Sequence, residues 1–393
     1  MSDTPAIPWR SPTLHVVLAS SLMGVMGVSL ISPTLPAVQQ ALGVTETQVS
    51  LLLTAFSLPG IVLAPLIGIL ADRYGRRAVL VPCLVGYGLA GGSVVLVRNF
   101  EVILALRVVQ GSAASGLVTL AVTLIGDAFA GRQRNQLMGI NGAVISVGTA
   151  SYPLLGGALA ELTWTAPFAL YLLGVPVGLL ALRALPGREQ SAGDGESTRG
   201  LDYFRGVVSA VPARRALLVY GTYVAVFVVL YGAVLTTLPL LLSQAYGLSP
   251  FGNGLILTAS SVMTGLVSAN NGRLAGRFSN ERLVGFGFLA YGFGLLGVWL
   301  AGSPTETGLA ILLFGTGMGL TLPSLDTATS SLAGREYRGG VTSLRTTAIR
   351  LGQTIGPPLF TTVAVVTGYR PLLFAASAAT LAVGVVATAV LAR

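Results

Sequence analysis

The chain has 393 residues, of which 53% are hydrophobic and 9% charged, and its mean hydropathy is +0.79. Soluble domains carry roughly 25% charge, so these proportions exclude a soluble globular protein. All 23 basic residues are arginine, and the net charge of +9 is scattered in twos and threes between apolar runs; this excludes the clustered phosphate contacts of a nucleic-acid binder.

A bilayer core about 30 Å thick is crossed by about 20 apolar residues in a helix, and lipid leaves the backbone few other ways to satisfy its hydrogen bonds. Twelve runs qualify in chain order: 14–36, 49–71, 78–97, 102–128, 137–160, 165–185, 216–242, 251–272, 283–301, 307–331, 340–367 and 370–391. The first reads as a retained span, since no small-residue cleavage site follows it. His15 stands at its start as an interfacial residue. Lone Cys83 lies inside the third run, and one cysteine allows neither an internal disulfide nor a cysteine-rich metal site. No metal or cofactor is expected.

Between the sixth and seventh runs lies the longest polar stretch. It divides the chain into an amino-terminal six-helix bundle (1–185), a linker (186–215) and a carboxyl-terminal six-helix bundle (216–393). Within the linker, Leu201, Tyr203, Phe204, Val207 and Val208 with Arg205 opposite read either as a short amphipathic surface helix or as irregular chain. With both termini cytoplasmic, eighteen arginines fall inside and two, Arg98 and Arg370, outside. The positive-inside rule therefore selects that orientation in a multi-pass protein of the cell membrane.

The halves repeat at an offset near 204. Leu53-Thr54-Ala55 recurs as Leu257-Thr258-Ala259, Gln40-Ala41-Leu42-Gly43 as Gln244-Ala245-Tyr246-Gly247, and Gly148 and Pro153 as Gly352 and Pro357. A duplicated six-helix unit suits two halves rocking about a central site. The spans hold no paired histidines, carboxylate pair or Cys/His arrangement, so an enzyme is not expected.

After the second run comes Gly68-Ile69-Leu70-Ala71-Asp72-Arg73-Tyr74-Gly75-Arg76-Arg77, in which glycines allow close packing and a sharp turn while a carboxylate and three arginines crowd a helix end. This resembles the signature loop of the major facilitator superfamily. Arg107, Gln110, Gly111 and Gly116 in the fourth run are similar to that superfamily's second motif. The resemblance spans all twelve runs and implies an all-α integral membrane protein, with two six-helix pseudo-repeat bundles in the major facilitator fold. It further implies a charge cluster of Asp72, Arg73 and Arg76 with Asp127, latching the halves in the outward-facing state; alternatively these arginines only enforce topology. The second copy has Gly276 where Asp72 stands, so only the first half would carry the latch. In the fifth run, Gly148, Pro153, Gly156 and Gly157, with Gly352, Gly356 and Pro357 in the eleventh, look like the helix-packing motif of the family's 12-helix drug and proton antiporters. Tyr152 departs from it by replacing the glycine before the proline.

Charges within a membrane are functional-site candidates by default. Asp326 is the sole carboxylate well inside a span, and Arg107, Arg345 and Arg350 are the arginines there. Asp326 is thus a candidate protonation site or half of a permanent ion pair with Arg345. For Arg107 the resemblance to the superfamily's second-motif arginine implies proton transfer, with interhelical hydrogen bonding the alternative, and Arg350 is a candidate for an anionic substrate or a reach toward Asp326. By family resemblance, spans one, four, seven and ten surround the cavity. Candidate lining residues are Met23, Met26, Ser29 and Ser32; Gln110, Ser115 and Thr119; Tyr220, Tyr223, Phe227 and Tyr231; and Phe314, Met318 and Thr321.

These features lead to a monomeric, alternating-access secondary transporter exchanging protons for a hydrophobic or amphipathic small molecule. Carriage of an organic anion or a sugar is the alternative, and a non-transporting receptor-like membrane protein a minor one.

Overall fold

The structure, a computed structural model, describes residues 7–187, 213–332 and 337–390, and among them every regular element is helical. The spans are α1 (Pro12–Leu42), α2 (Glu46–Tyr74), α3 (Arg76–Leu96), α4 (Phe100–Ala128), α5 (Gly131–Ala160), α6 (Ala166–Ala184), α7 (Ala213–Tyr246), α8 (Pro250–Ala275), α9 (Asn280–Leu300) and α10 (Pro304–Ser330). They are completed by α11 (Arg338–Thr367) and α12 (Tyr369–Val390). Eleven are long and apolar enough to cross a membrane. The exception is α11, whose 30 residues are long enough but whose Arg345, Arg350 and threonines lower its hydropathy. Most helices run past the apolar segments that announce them because capping residues lie further out. Thr45 forms a capping box with Gln48 at the start of α2, and Ser11, Asn99, Ser249, Ser279 and Ser303 accept from backbone N–H groups at other helix starts.

Two main buried apolar clusters form. One gathers Leu14 to Leu185 with Leu240, the other Val226 to Leu373. The outward faces remain apolar, with Leu96, Val366 and Leu217 largely exposed, as a surface meeting lipid requires. The 204-residue repeat is visible in backbone geometry. Gly43 (φ 64°) ends α1 and Gly247 (φ 61°) ends α7 in the left-handed conformation that glycine adopts without Cβ strain, and Thr45 and Ser249 cap the helices that follow.

Several spans are broken. A 3₁₀ turn at Ser32–Thr34 interrupts α1 beside Pro33, α2 breaks at Leu58–Pro59, and α7 widens into a π-helix over Leu230–Thr237. There the Leu235 carbonyl accepts the Ser32 hydroxyl at 2.5 Å, tying α7 to α1 across the halves. Further polar contacts between halves lie toward the same end. Ser50 Oγ pairs with Thr361 Oγ1 at 3.1 Å, Thr54 donates to the Thr354 carbonyl at 3.1 Å, Gln244 donates to Glu46, and the Phe251 N–H donates to Glu161 at 3.1 Å. Along the same stretch α5 meets α8 backbone to backbone: a Cβ on Gly157 would lie 2.3 Å from the Pro250 carbonyl, and one on Gly254 2.3 Å from that of Pro153. At the other, arginine-rich end these two helices part. Around Gly139, Gly142, Gly265 and Gly272 a Cβ would meet nothing within 4 Å. The gap between the halves thus opens toward the end bearing Asp72 and Asp127.

The amphipathic helix expected over Leu201–Val208, most of the linker, and Arg335 lie outside the described residues.

Candidate functional site

At the arginine-rich end, Gly75 (φ 94°) makes the turn from α2 to α3, a conformation that L side chains rarely adopt. The turn brings Arg76 back over α2. Its Nη1 lies 2.6 Å from Asp72 Oδ1 and donates to the Ala71 carbonyl, while Nε donates to Asp127 Oδ2 at 3.0 Å. Asp72, Arg76 and Asp127 are therefore joined within the amino half. Arg73, expected among them, instead stacks over the Tyr74 ring at 5.4 Å, and Arg77 donates to the Leu185 carbonyl at the end of α6. Open space surrounds Gly68.

The glycines of α5 and α11 act through contact. A Cβ on Gly156 would lie 1.8 Å from the Leu30 carbonyl, and one on Gly148 2.8 Å from Leu22, so both seat α5 against α1. Gly352 and Gly356 seat α11 against the Val224 and Val228 carbonyls of α7 in the corresponding way. Tyr152, the departure from the packing motif, sends its hydroxyl to the Leu22 carbonyl at 3.2 Å and so binds the same helix that the glycines approach.

The charges within the spans occupy three different settings. Arg107 is wholly buried; it donates from Nε to the Leu52 carbonyl (3.1 Å), from Nη1 to Gln110 Oε1 (2.7 Å) and from Nη2 to the Gly27 carbonyl (2.8 Å). Its guanidinium also stands 4.5 Å from the centre of the Phe56 ring, and Tyr171 donates to the same Gly27 carbonyl. Arg345 pairs with Asp326: Nε and Nη2 each lie 2.7 Å from Oδ1. Tyr223 completes this site, donating to Asp326 Oδ1 at 2.5 Å while its oxygen accepts from Arg345 Nε at 3.0 Å and Thr329 Oγ1 at 3.4 Å. The Asp326 side chain is 48% exposed and that of Arg345 29%, and Asp326 lies near the arginine-rich end of α10. Arg350, near the middle of α11, donates to Gln353 alone among the described residues and does not reach Asp326.

The cavity candidates divide. Of the candidate lining residues, Met23, Met26, Ser32, Gln110, Ser115, Tyr223, Phe314, Met318 and Thr321 are buried in this conformation. Met23 and Met26 pack in the amino core, Phe314 and Met318 in the carboxyl core; Gln110 holds Arg107, Ser115 bonds the Gly111 carbonyl, Ser32 bonds α7, and Thr321 sits against Gly287. Ser29, Thr119, Tyr220, Phe227 and Tyr231 keep accessible surface. A membrane helix is apolar on its lipid face and its core face alike, so composition does not tell which side of a span looks inward.

The sequence profile of the Major Facilitator Superfamily matches residues 17–250 and 222–393, which together cover nearly the whole chain. The chain belongs to the Major Facilitator Superfamily. Among its relatives is the bacillibactin exporter of Bacillus subtilis (strain 168), 27% identical over 365 residues, covering 88% of this chain and 89% of the relative. The multi-drug resistance efflux pump PmrA homolog of Lactococcus lactis is 26% identical over 400 residues, with 96% and 94% covered. Among solved structures, a bacterial homolog of the human lysosomal transporter Spinster, inward-facing and unoccupied, has a TM-score of 0.80 at 18% identity, with 98% and 96% covered. The nucleoside transporter NupG reaches 0.78 at 12% identity, with 97% and 99% covered.

As a member of this superfamily the chain is a multi-pass membrane transporter of a small molecule. Two sets of contacts carry little signal in the sequence. Tyr223 as a partner of Asp326 carried no signal beyond being a polar aromatic in an apolar run. The Glu46 and Glu161 contacts joining the halves were readable only as acids at span edges, although Glu46 directly follows the repeated Gly43 turn.

Proposed function

We propose that this transporter exports hydrophobic or amphipathic compounds in exchange for protons, by alternating access, as a monomer in the cell membrane with both termini cytoplasmic. Asp326 carries the reading: the sole carboxylate well inside a span is joined to Arg345 and Tyr223, and it is half exposed at the end where the halves part. With the arginine-rich end cytoplasmic, this conformation is inward-facing, and ionised Asp326 can exchange a proton with cytoplasmic water. Protonation removes the charge that Arg345 balances, so the pair opens. Each state of the pair then favours a different packing of α10 and α11, and a differential of about 1–3 kcal/mol is the usual size of such coupling. The exporter and efflux-pump relatives support outward transport, and the inward-facing Spinster homolog supports the assigned conformation.

In the same reading Arg107 is an interhelical fastening and not a proton carrier, since its donors are held by carbonyls and an amide. The Asp72, Arg76 and Asp127 cluster shapes the end of α2 that meets the carboxyl half in the opposite conformation. Both pairs in it are partly exposed, so each contributes about 0.2–1 kcal/mol. That is enough to bias a conformational balance and too little to lock it.

The test is flux of a fluorescent amphipathic dye in proteoliposomes, with and without a pH gradient, for wild type and Asp326→Asn. The substitution is expected to abolish gradient-driven flux while dye binding and the gel-filtration profile persist. Unchanged gradient-driven flux would remove Asp326 from the mechanism.

A further inference from the structure

The three arginines within the spans differ in how many of their donors the protein satisfies. A guanidinium carries five N–H groups and accepts nothing. Arg107 places bonds from Nε, Nη1 and Nη2, and Arg345 has a carboxylate and a phenol oxygen. For Arg350, one bond from Nη1 to Gln353 Oε1 at 3.1 Å is the whole of the guanidinium's hydrogen bonding among the described residues, and none of their carboxylates lies within ion-pair distance. Nε and Nη2 are left without an acceptor among those residues.

The position of this cation is as informative as its lack of partners. Arg350 lies near the middle of α11, and its side chain crosses to Gly60, near the middle of α2 in the other half: a Cβ there would lie 2.8 Å from Nε and 2.9 Å from Cδ. The backbone of α2 is broken at Leu58–Pro59 immediately beside this contact. From the third side Tyr231, in the π-helical part of α7, faces both Arg350 and Gln353. The Tyr231 ring packs at 6.2 Å from that of Phe227, and both residues keep accessible surface. At mid-depth, between the halves, a cation with unused donors, an amide and a phenol thus adjoin two aromatic rings.

We infer that Arg350, with Gln353 and Tyr231, forms a binding site for the anionic oxygen of an aromatic amphipath, a carboxylate or phenolate whose ring packs beside Phe227 and Tyr231. A cation near the middle of a span without a counter-charge is unfavourable, and an oxyanion supplies both the missing charge and acceptors for Nε and Nη2 in the paired geometry that guanidinium favours. Gly60 sets the position of the guanidinium by leaving it room. The inference narrows the substrate of the proposed exporter to a chemical class, and it rests on the central gap being the transport route.

The test is equilibrium binding to the purified full-length chain in detergent, by calorimetry, of 1-naphthoate and of 1-naphthylmethylammonium, which share a ring system and differ in charge. Wild type is expected to bind the anion at least about tenfold more tightly than the cation. Arg350→Gln is expected to lose that preference, Arg350→Lys to keep part of it, and Gly60→Ala to weaken the anion several-fold with the charge still present. Equal naphthoate affinity in wild type and Arg350→Gln overturns the inference, as does a wild type that binds the cation better or binds neither compound. Gel filtration of each variant reports folding; if Arg350→Gln does not fold, Arg350→Lys and Gly60→Ala decide, and naphthoate affinities equal to wild type in both overturn the inference. Binding is read without flux, so a chain that holds naphthoate through Arg350 yet moves no dye under a pH gradient contradicts the export reading and leaves the anion site standing.

Discussion

An arginine at the centre of a membrane helix costs about 2.5–3.5 kcal/mol on insertion scales, and Arg107 offsets this by bonding three acceptors and lying over an aromatic ring. Each hydrogen bond to a charged group contributes about 1.5–3 kcal/mol, and although the Gly27 carbonyl keeps Tyr171 as a donor, the Gln110 amide oxygen loses its charged partner. Arg107→Gln is therefore expected to destabilise the amino half by on the order of 3 kcal/mol, read as a lower melting temperature in detergent. A melting temperature equal to wild type would show that the network is dispensable. The sequence exposes Arg107, Arg345, Arg350 and Asp326 because charges in apolar runs stand out. It hides what they touch. The acceptors of Arg107 on α1 and α2 are main-chain carbonyls, which every residue carries, and Tyr223 looks like any other aromatic until α7 packs beside α10.

At the scale of the helix, α5 carries two kinds of close approach one residue apart. Gly156 presses on Leu30 inside the amino half, whereas Gly157 presses on Pro250 across the halves. Gly156→Val is expected to lower the thermal stability of the protein, since the collision is with backbone that cannot move aside. Gly157→Val is expected to hold apart the end of the molecule that is closed here. A cysteine introduced at Leu235, beside the Ser32 contact, should then react faster with a membrane-impermeant maleimide applied from outside in intact cells. Equal reactivity with and without Gly157→Val would deny the interface that role. The existence and order of all twelve helices were legible because apolar length is a strong signal, and α11 was legible despite its charges because the glycines and prolines of α5 recur within it. The π-helix of α7 was not legible. It packs against Gly356 and Phe360 of α11 and carries the Ser32 contact, tertiary features that no local motif announces.

Among the described residues the two repeats touch at one end and part at the other, and Arg76 joins Asp72 to Asp127 at the latter. Asp72→Asn is expected to slow turnover several-fold in the dye-flux assay while dye binding stays close to wild type; normal turnover would defeat a gating role for this cluster. The central claim is that the halves exchange which end is closed. It is tested most directly by distances between paired spin labels, on a Cys83→Ser background, at Gly139 and Gly265 of the open end and at Leu162 and Ala245 of the closed end. Imposing a pH gradient and substrate in proteoliposomes should shorten the first distance and lengthen the second. Two distances that stay fixed, or that change in the same direction, would contradict alternating access in this transporter.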